Sequence, residues 1–533
     1  MKTIYYGGRI VTVENENDYP EAVLVEGGTI KKVGTLEEAR KEAGAAVREI
    51  NLDGKCLMPG FIDPHSHIAM NGQISLLADL SECSSFDDIV GALNGYVERT
   101  PVELPLIMGF GYDHNFLEEG RHPDKFALDR VSSTVPMLAQ HVSGHMAVVN
   151  SAMLALLGIE ENTPDPEGGR IGRVADTQEP DGYLEEAALM MLQSKMAGGA
   201  SPNPELMIAG MQRTYIENGV TTVQDGATSP DYMNLLKLAN DRELLKIDVV
   251  AYPLMGEDGR KLMADNRELL NKYRNRLKIG GWKMILDGSP QGRSAWMSEP
   301  YEGGEEGYCA YPWIKPEQAE AFALEAVNDG LQLLTHCNGD AASELFIDSY
   351  AKALEASDNP EKDSLRPVMI HCQTVRNDQL DRMARLDMIA SIFVGHVYYW
   401  GDVHVKNFGP KRGHHISPAK DALDRGISVN FHQDTPVTKP KMLHSIWTAV
   451  NRISRGGNVI GEDQRISVYD AIKAVTINAA YQYFEEDEKG SIREGKRADL
   501  VILDRNPLEV PPEAIKDIQV LETIKDGETI YRR

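Results

Sequence analysis

Cysteine is scarce in this chain: Cys56, Cys83, Cys309, Cys337 and Cys372 are the only five in 533 residues. Their number is odd and their spacing includes no CxxC pair, which excludes a disulfide framework and fits reduced thiols in a cytoplasmic protein. Positive charge is also short. The chain has 55 Lys and Arg against 81 Asp and Glu, a formal charge of -26, so it offers little to nucleic acid or to an anionic membrane. No run of about 18 apolar residues could span a bilayer. The opening Met1-Lys-Thr-Ile-Tyr-Tyr-Gly-Gly8 has no apolar core of the kind a signal peptide carries. Internal repeats and low-complexity tracts are missing as well. The expectation is a soluble, cytoplasmic protein acting on a small molecule, with a homo-oligomer such as a dimer left open.

The chain is long enough for one large and one or two smaller domains. Its first sixty residues alternate in the manner of strands, and Glu26-Gly27-Gly28 between two such runs is a hairpin signal. The last fifty look alike, with Asp526-Gly527 as another hairpin turn. Neither end has enough strands to close a core alone, so residues 1–58 and 480–533 are expected to join in one small β-sandwich. Between them the rhythm changes. Short runs rich in Val, Ile and Leu (Phe61–His67, Val220–Gly226, Ile247–Leu254, Gly281–Leu286, Leu331–His336, Val368–Cys372, Ile389–Val394 and Ile427–His432) alternate with helical segments such as Pro316–Asn328 and Ala341–Glu355. The α/β pattern predicts a (β/α)8 TIM barrel over 59–479; an open doubly wound sheet shares the local signal. Residues 68–219 are too many for one loop. A subdomain inserted at about 70–215 is expected, with strand-like runs Pro105–His114 and Val135–His145 and helices near Leu184–Ala197.

In such barrels the working groups sit at the carboxyl ends of the strands. On a strand over Phe61–His67, His65 and His67 would share one face. Later runs end in Thr335-His336-Cys337, Ile370-His371-Cys372 and Phe431-His432-Gln433-Asp434. Four imidazoles and a carboxylate converging on one mouth suit a divalent metal, Zn²⁺ foremost, with Mn²⁺, Fe²⁺ or Co²⁺ as alternatives. Lys283 stands in the fourth run among apolar residues. There its pKa should fall, and a neutral amine can take up CO₂ as a carbamate able to bridge two ions. The alternative is an ammonium paired with Asp287 or Asp225. Cys337 and Cys372, beside ligand histidines but on the other strand face, read as packing thiols.

These pieces resemble the amidohydrolase superfamily, in the branch of amidohydrolase family 3 that contains N-substituted formamide deformylase-like and YtcJ-like proteins. The resemblance rests on Pro59-Gly-Phe-Ile-Asp-Pro-His-Ser-His67, Lys283 with Asp287-Gly-Ser289, His336 with Gly339-Asp340, His371, Asp434 with Pro436, and the tail from Ala479-Ala480 to Asp504. It implies that His65, His67, His336, His371 and Asp434 are metal ligands, that Lys283 is often carboxylated, and that one or two ions bind. The implied activity is hydrolysis of a C–N bond, an amide or N-formyl group, by hydroxide generated as the metal lowers the pKa of water from about 16 towards 7. Asp434 would act as general base and then acid. A lactonase, carbamate hydrolase or deaminase using the same site is the alternative. His145, His396 and Arg293 are candidates for steadying the oxyanion, and Tyr112, Asp113, His114 and His145 for walling the pocket. His432 departs from the small residue expected before Asp434; it is either a substrate contact or a disturbance of the second metal position.

Overall fold

The structure is a computed structural model that describes residues 2–99, 106–142, 144, 146–166, 168–189, 203–303 and 305–533. The protein is α/β and forms two compact units, one of Met1–Ala69, Gln212–Thr435 and Lys439–Arg533, the other of Met70–Met211 with Pro436–Thr438.

In the first unit the two ends of the chain do share a sheet. Cys56–Pro59 lies antiparallel to Leu500–Leu503, which pairs with Val520–Lys525 and then Glu528–Arg532. A second sheet carries Thr29–Gly34, Ala22–Glu26, Lys2–Tyr6 and Arg48–Asn51 in that order. The two hairpin signals hold. Gly27 and Gly28 turn at φ 58° and 81°, Asp526 and Gly527 at 50° and 75°, the left-handed pair a two-residue hairpin loop needs. Tyr5, Val23, Ile30, Leu57, Leu500, Ile502 and Ile524 pack together, so residues from both ends fill one apolar core.

The rest of this unit is built of parallel strands. Phe61–Ile62, Val220–Thr228, Asp248–Pro253 and Leu277–Ile279 are neighbours in chain order; so are Gly281–Ile285, Gln332–Cys337, Val368–His371, Ile389–Ile392 and Val429–Phe431. A parallel bridge, Leu254 to Lys283, links the two sets. At the far side, Asp434 N–H donates to His65 O at 3.3 Å and His67 N–H to Thr435 O at 2.8 Å. Helices such as Pro316–Asn328 and Asp340–Ala356 connect successive strands, and the strands are buried along nearly their whole length, as expected where both faces are covered.

Three expectations need correction. The first strand ends at Ile62 rather than His67: Pro64 lacks an N–H for a ladder, and the Asp63 carboxylate accepts from His65 N–H at 3.3 Å in a turn. The eight expected runs leave out a short strand, Leu277–Ile279, which precedes the fourth, Gly281–Ile285, across Gly280. Leu184–Glu186, read as helical, belongs to the strand Pro180–Glu186. Pairing with Met146–Val149 on one side and Gly169–Arg173 on the other overrides local propensity. Ala187–Leu189 are helical as expected, and the remainder of that helix, from residue 190 on, lies outside the described residues.

The second unit has its own six-stranded sheet, Gly169–Arg173, Pro180–Glu186, Met146–Val149, Met137–His141, Ile107–Tyr112 and Ala78–Asp79 in spatial order. One face packs with Phe86, Ile89, Leu93 and Leu128, the other with Met153, Leu154 and Leu157. Both runs expected there are strands, Ile107–Tyr112 and Met137–His141, paired in parallel. Among the described residues no helix is long and apolar enough to cross a membrane. None of the five cysteines is joined in a disulfide.

Candidate metal centre

His65 and His67 follow the first short strand, and the turn at Asp63-Pro64 rather than strand alternation brings them together. Each is held from behind through Nδ1. His65 Nδ1 lies 2.6 Å from Gln224 Oε1, and His67 Nδ1 lies 2.6 Å from the Gly226 carbonyl. Gln224 Nε2 donates to Pro64 O at 2.7 Å, which fixes its amide with Oε1 towards the imidazole. Both acceptors are oxygens, so in each neutral ring the proton sits on Nδ1 and Nε2 keeps its lone pair. Gly226 is required here, because a Cβ on it would stand 2.7 Å from His65 Cε1.

The two Nε2 atoms converge on Asp434 Oδ1, at 3.3 Å from His65 and 3.2 Å from His67. That oxygen has no hydrogen-bond donor. Three electron-pair donors thus face one another with their protons spent elsewhere, an arrangement that a cation satisfies. Without one, a proton on His67 would bridge the gap. Burial lowers the pKa of His67, but the Asp434 carboxylate outweighs it and the net shift is upward.

His336, on the strand Gln332–Cys337, turns Nδ1 to His371 Nε2 at 3.0 Å. His371 closes its strand with φ 73°, and its Nδ1 lies 3.3 Å from His432 Nε2. His432 in turn meets the Ser391 hydroxyl at 2.9 Å. His336 Nε2 stands 3.0 Å from Asn338 Nδ2 and 3.4 Å from the Gly288 carbonyl. The two groups meet at His65, His371 and Asp434, whose ligand atoms all lie within 4.8 Å of one another. Burial holds His65, His371 and His432 well below the ordinary histidine pKa and His336 at about 3. They are neutral imidazoles, the form that binds metals.

Lys283 is 1% exposed, and its Nζ has no hydrogen-bond partner. Burial drives its pKa down to about 7, against the opposing pull of Asp434. The carboxylates weighed as its partners are engaged elsewhere. Asp287 accepts from the backbone N–H groups of Asn338, Gly339 and Trp296 at 3.0, 2.7 and 3.0 Å, and Asp225 accepts from Ala69 N–H at 2.9 Å. Cys337 and Cys372 are buried with raised thiol pKa values, Cys372 to about 12, which leaves both un-ionised and unreactive.

Of the remaining candidates, His396 borders the cluster, since its ring and that of His432 both pack against Phe393. His396 is buried and pairs its Nδ1 with His404 Nε2 at 3.0 Å, its ring 4.7 Å from that of Phe393. Arg293 directs Nε to Asn407 Oδ1 at 3.0 Å and Nη2 to Glu302 O at 2.9 Å, contacts that tie one loop to another. Tyr112 belongs to the apolar core of the second unit, its hydroxyl 3.0 Å from His122 Nδ1. His145 lies outside the described residues. Gln224 and Gly226 were missed: a glutamine inside an apolar run was the available signal, and a glycine at a strand end carries none.

A parallel α/β scaffold with neutral histidines, a carboxylate and an unpaired lysine gathered at its strand ends defines the class as a hydrolytic metalloenzyme scaffold. Comparison with known proteins makes the assignment closer. The model of the Amidohydrolase family matches residues 48–531, and the chain belongs to that family, hydrolases acting on C–N bonds. It is 28% identical over 551 residues to YtcJ of Bacillus subtilis (strain 168), covering all of both chains. It is also 28% identical over 543 residues to the N-substituted formamide deformylase of Arthrobacter pascens, covering 98% of this chain and 97% of that one. The crystal structure of an uncharacterized metal-dependent hydrolase from Pyrococcus horikoshii OT3 superimposes with a TM-score of 0.74 at 23% identity, over 96% of this chain and 99% of the other.

Proposed function

We propose that this protein is a metal-dependent hydrolase that cleaves an amide or N-formyl C–N bond of a small molecule. The observation that carries the reading is the convergence of His65 Nε2 and His67 Nε2, at 3.3 and 3.2 Å, on an Asp434 Oδ1 that has no hydrogen-bond donor. The formamide deformylase relative supports the N-formyl end of the substrate range. The parallel strands are read as one (β/α)8 barrel closed between Val429–Phe431 and Phe61–Ile62, with residues 70–215 inserted and 1–58 with 480–533 as its sandwich.

His65, His67, His336, His371 and Asp434 would hold the cation, most suitably Zn²⁺, with Lys283 between the two pairs of imidazoles. When bound, the ion supplies acidity to a water and polarises the scissile carbonyl. The chain does the rest. Gln224 and the Gly226 carbonyl keep both imidazoles in the ligating tautomer. Asp434, its side chain 13% exposed, is within reach of substrate; its carboxylate takes the proton of the attacking water and returns it to the leaving nitrogen. The neutral amine of Lys283 can attack CO₂, forming an N–C bond and releasing one proton, and the resulting carbamate would supply the anion for a second ion.

The test is a panel of N-formyl amines, N-acyl amino acids, cyclic amides, lactones and aminopurines, assayed with metal-depleted protein before and after adding Zn²⁺ or Mn²⁺. Turnover of N-formyl or N-acyl substrates that appears only with metal is expected. Activity confined to lactones or to deamination, or unchanged by metal removal, would overturn the reading.

A further inference from the structure

We propose that Asp113, His114 and His141 form a second divalent-metal site, in the unit Met70–Met211. This inference does not rest on the proposed function, since none of its residues belongs to the cluster described above.

The site is built on two neighbouring parallel strands. Asp113 and His114 directly follow Ile107–Tyr112, and His141 is the last residue of Met137–His141. A register shift between Gln140 and His141 sets His141 opposite Tyr112, which turns its ring towards the end of the adjacent strand. Three potential ligand atoms result. His114 Nδ1 and His141 Nε2 are 3.1 Å apart, and Asp113 Oδ1 lies 3.6 Å from the latter and 3.8 Å from the former. Ligands at 2.0–2.1 Å around tetrahedral zinc stand about 3.3 Å from one another. The triangle brackets that spacing, and the contacts of 3.2 and 3.3 Å at Asp434 lie close to it.

The surroundings suit a bound cation. Asp113 and His141 are buried, whereas the side chain of His114 is 29% exposed, which leaves one side for an exchangeable ligand. Asp113 Oδ1 also accepts from the backbone N–H and the side-chain amide of Asn115, each at 2.9 Å, so the carboxylate is oriented from behind. His122 stacks on His114 with ring centroids 4.0 Å apart and takes its own hydrogen bond from the Tyr112 side, which limits rotation of the His114 ring. A hydrogen-bonded imidazole pair accounts for the contact of 3.1 Å alone; the carboxylate at nearly equal distance from both rings is what points to an ion. Its chemical class is a borderline transition metal such as Zn²⁺, tying together two strand ends.

The experiment uses the full chain carrying His65→Ala and His371→Ala, so that the first cluster is disabled and hydrolysis plays no part. After metal removal, equilibrium dialysis against Zn²⁺ should show about one equivalent retained per chain, and Co²⁺ should give visible absorption of a four-coordinate site. Adding His141→Asn should abolish both. His114→Ala, at the more exposed ligand, is the second variant in case the buried one fails to fold; its affinity should fall at least about tenfold, since even outer-shell partners cost that much. Absence of the equivalent in the His65/His371 variant, or undiminished binding in His114→Ala, would overturn the proposal. Loss of activity in the wild-type assays, by contrast, would bear only on the proposed function.

Discussion

Lys283 shows how strongly burial can redirect one side chain. An exposed lysine titrates near 10.4, but here the ammonium would stand among neutral imidazoles without a hydrogen-bond acceptor, and its pKa falls to about 7. The amine fraction therefore grows as pH rises through that value and shrinks below it. Reconstitution of the metal-depleted enzyme with bicarbonate and Zn²⁺ should follow the same course, slow at pH 6 and fast at pH 8. Lys283→Ala should lose most activity and recover part of it in millimolar formate or acetate, which can occupy the space of a carbamate. A flat pH course together with no rescue would show an ordinary buried lysine. Intact-mass spectra under mild conditions give an independent reading of the added CO₂.

At the scale of elements, the strand Val220–Thr228 supports both leading histidines, through Gln224 and the Gly226 carbonyl. Gln224→Leu keeps the volume and removes the acceptor, so His65 loses the partner that sets its tautomer. Zinc affinity should fall by about 10–100-fold with the fold intact, measured by competition with a chromophoric chelator; unchanged affinity would remove Gln224 from the site. Much of this centre was legible in the sequence. The Pro59–His67 motif, the histidines ending later strands and Asp434 are contiguous signals that survive without any knowledge of packing. Gln224 was not legible, since it meets His65 from 159 residues away, and neither were the turn at Asp63-Pro64 nor the strand at Leu184. Each depends on which backbone comes alongside, and local residue preference carries little of that information.

For the whole molecule, the joint between the parallel strands and the chain ends is ionic as well as apolar. Asp248, at the start of Asp248–Pro253, receives Lys489 Nζ and Lys525 Nζ on one oxygen, each at 2.6 Å, and Arg276 on the other at 3.1 Å. All but the arginine are almost fully buried. Burial alone would raise the pKa of Asp248, but the two lysines outweigh it and hold the carboxyl well below the usual range. The sign follows: a depressed folded pKa gives stability that is present above the unfolded value, about 3.9, and is lost as pH falls below it. Asp248→Asn should destabilise the protein by about 2–3 kcal/mol, because two buried ammonium groups each lose one of two carboxylate partners, Lys489 keeping Glu485 and Lys525 keeping Asp499. Urea unfolding at pH 7 measures it, and the gap between variant and wild type should narrow as the pH is lowered towards 3. A loss below about 1 kcal/mol would mean that water or Glu485 and Asp499 compensate.

The antiparallel pairing of Cys56–Pro59 with Leu500–Leu503 also sets an order of events during synthesis. At about 5–20 residues per second, the earlier strand emerges from the ribosome on the order of a minute before its partner exists. Its apolar edge must meanwhile be shielded, by the hairpins beside it or by a chaperone. His65 and His67 are consequently made early, beside a strand that is still waiting for its neighbour, and the sheet next to them closes only once Leu500–Leu503 has been made.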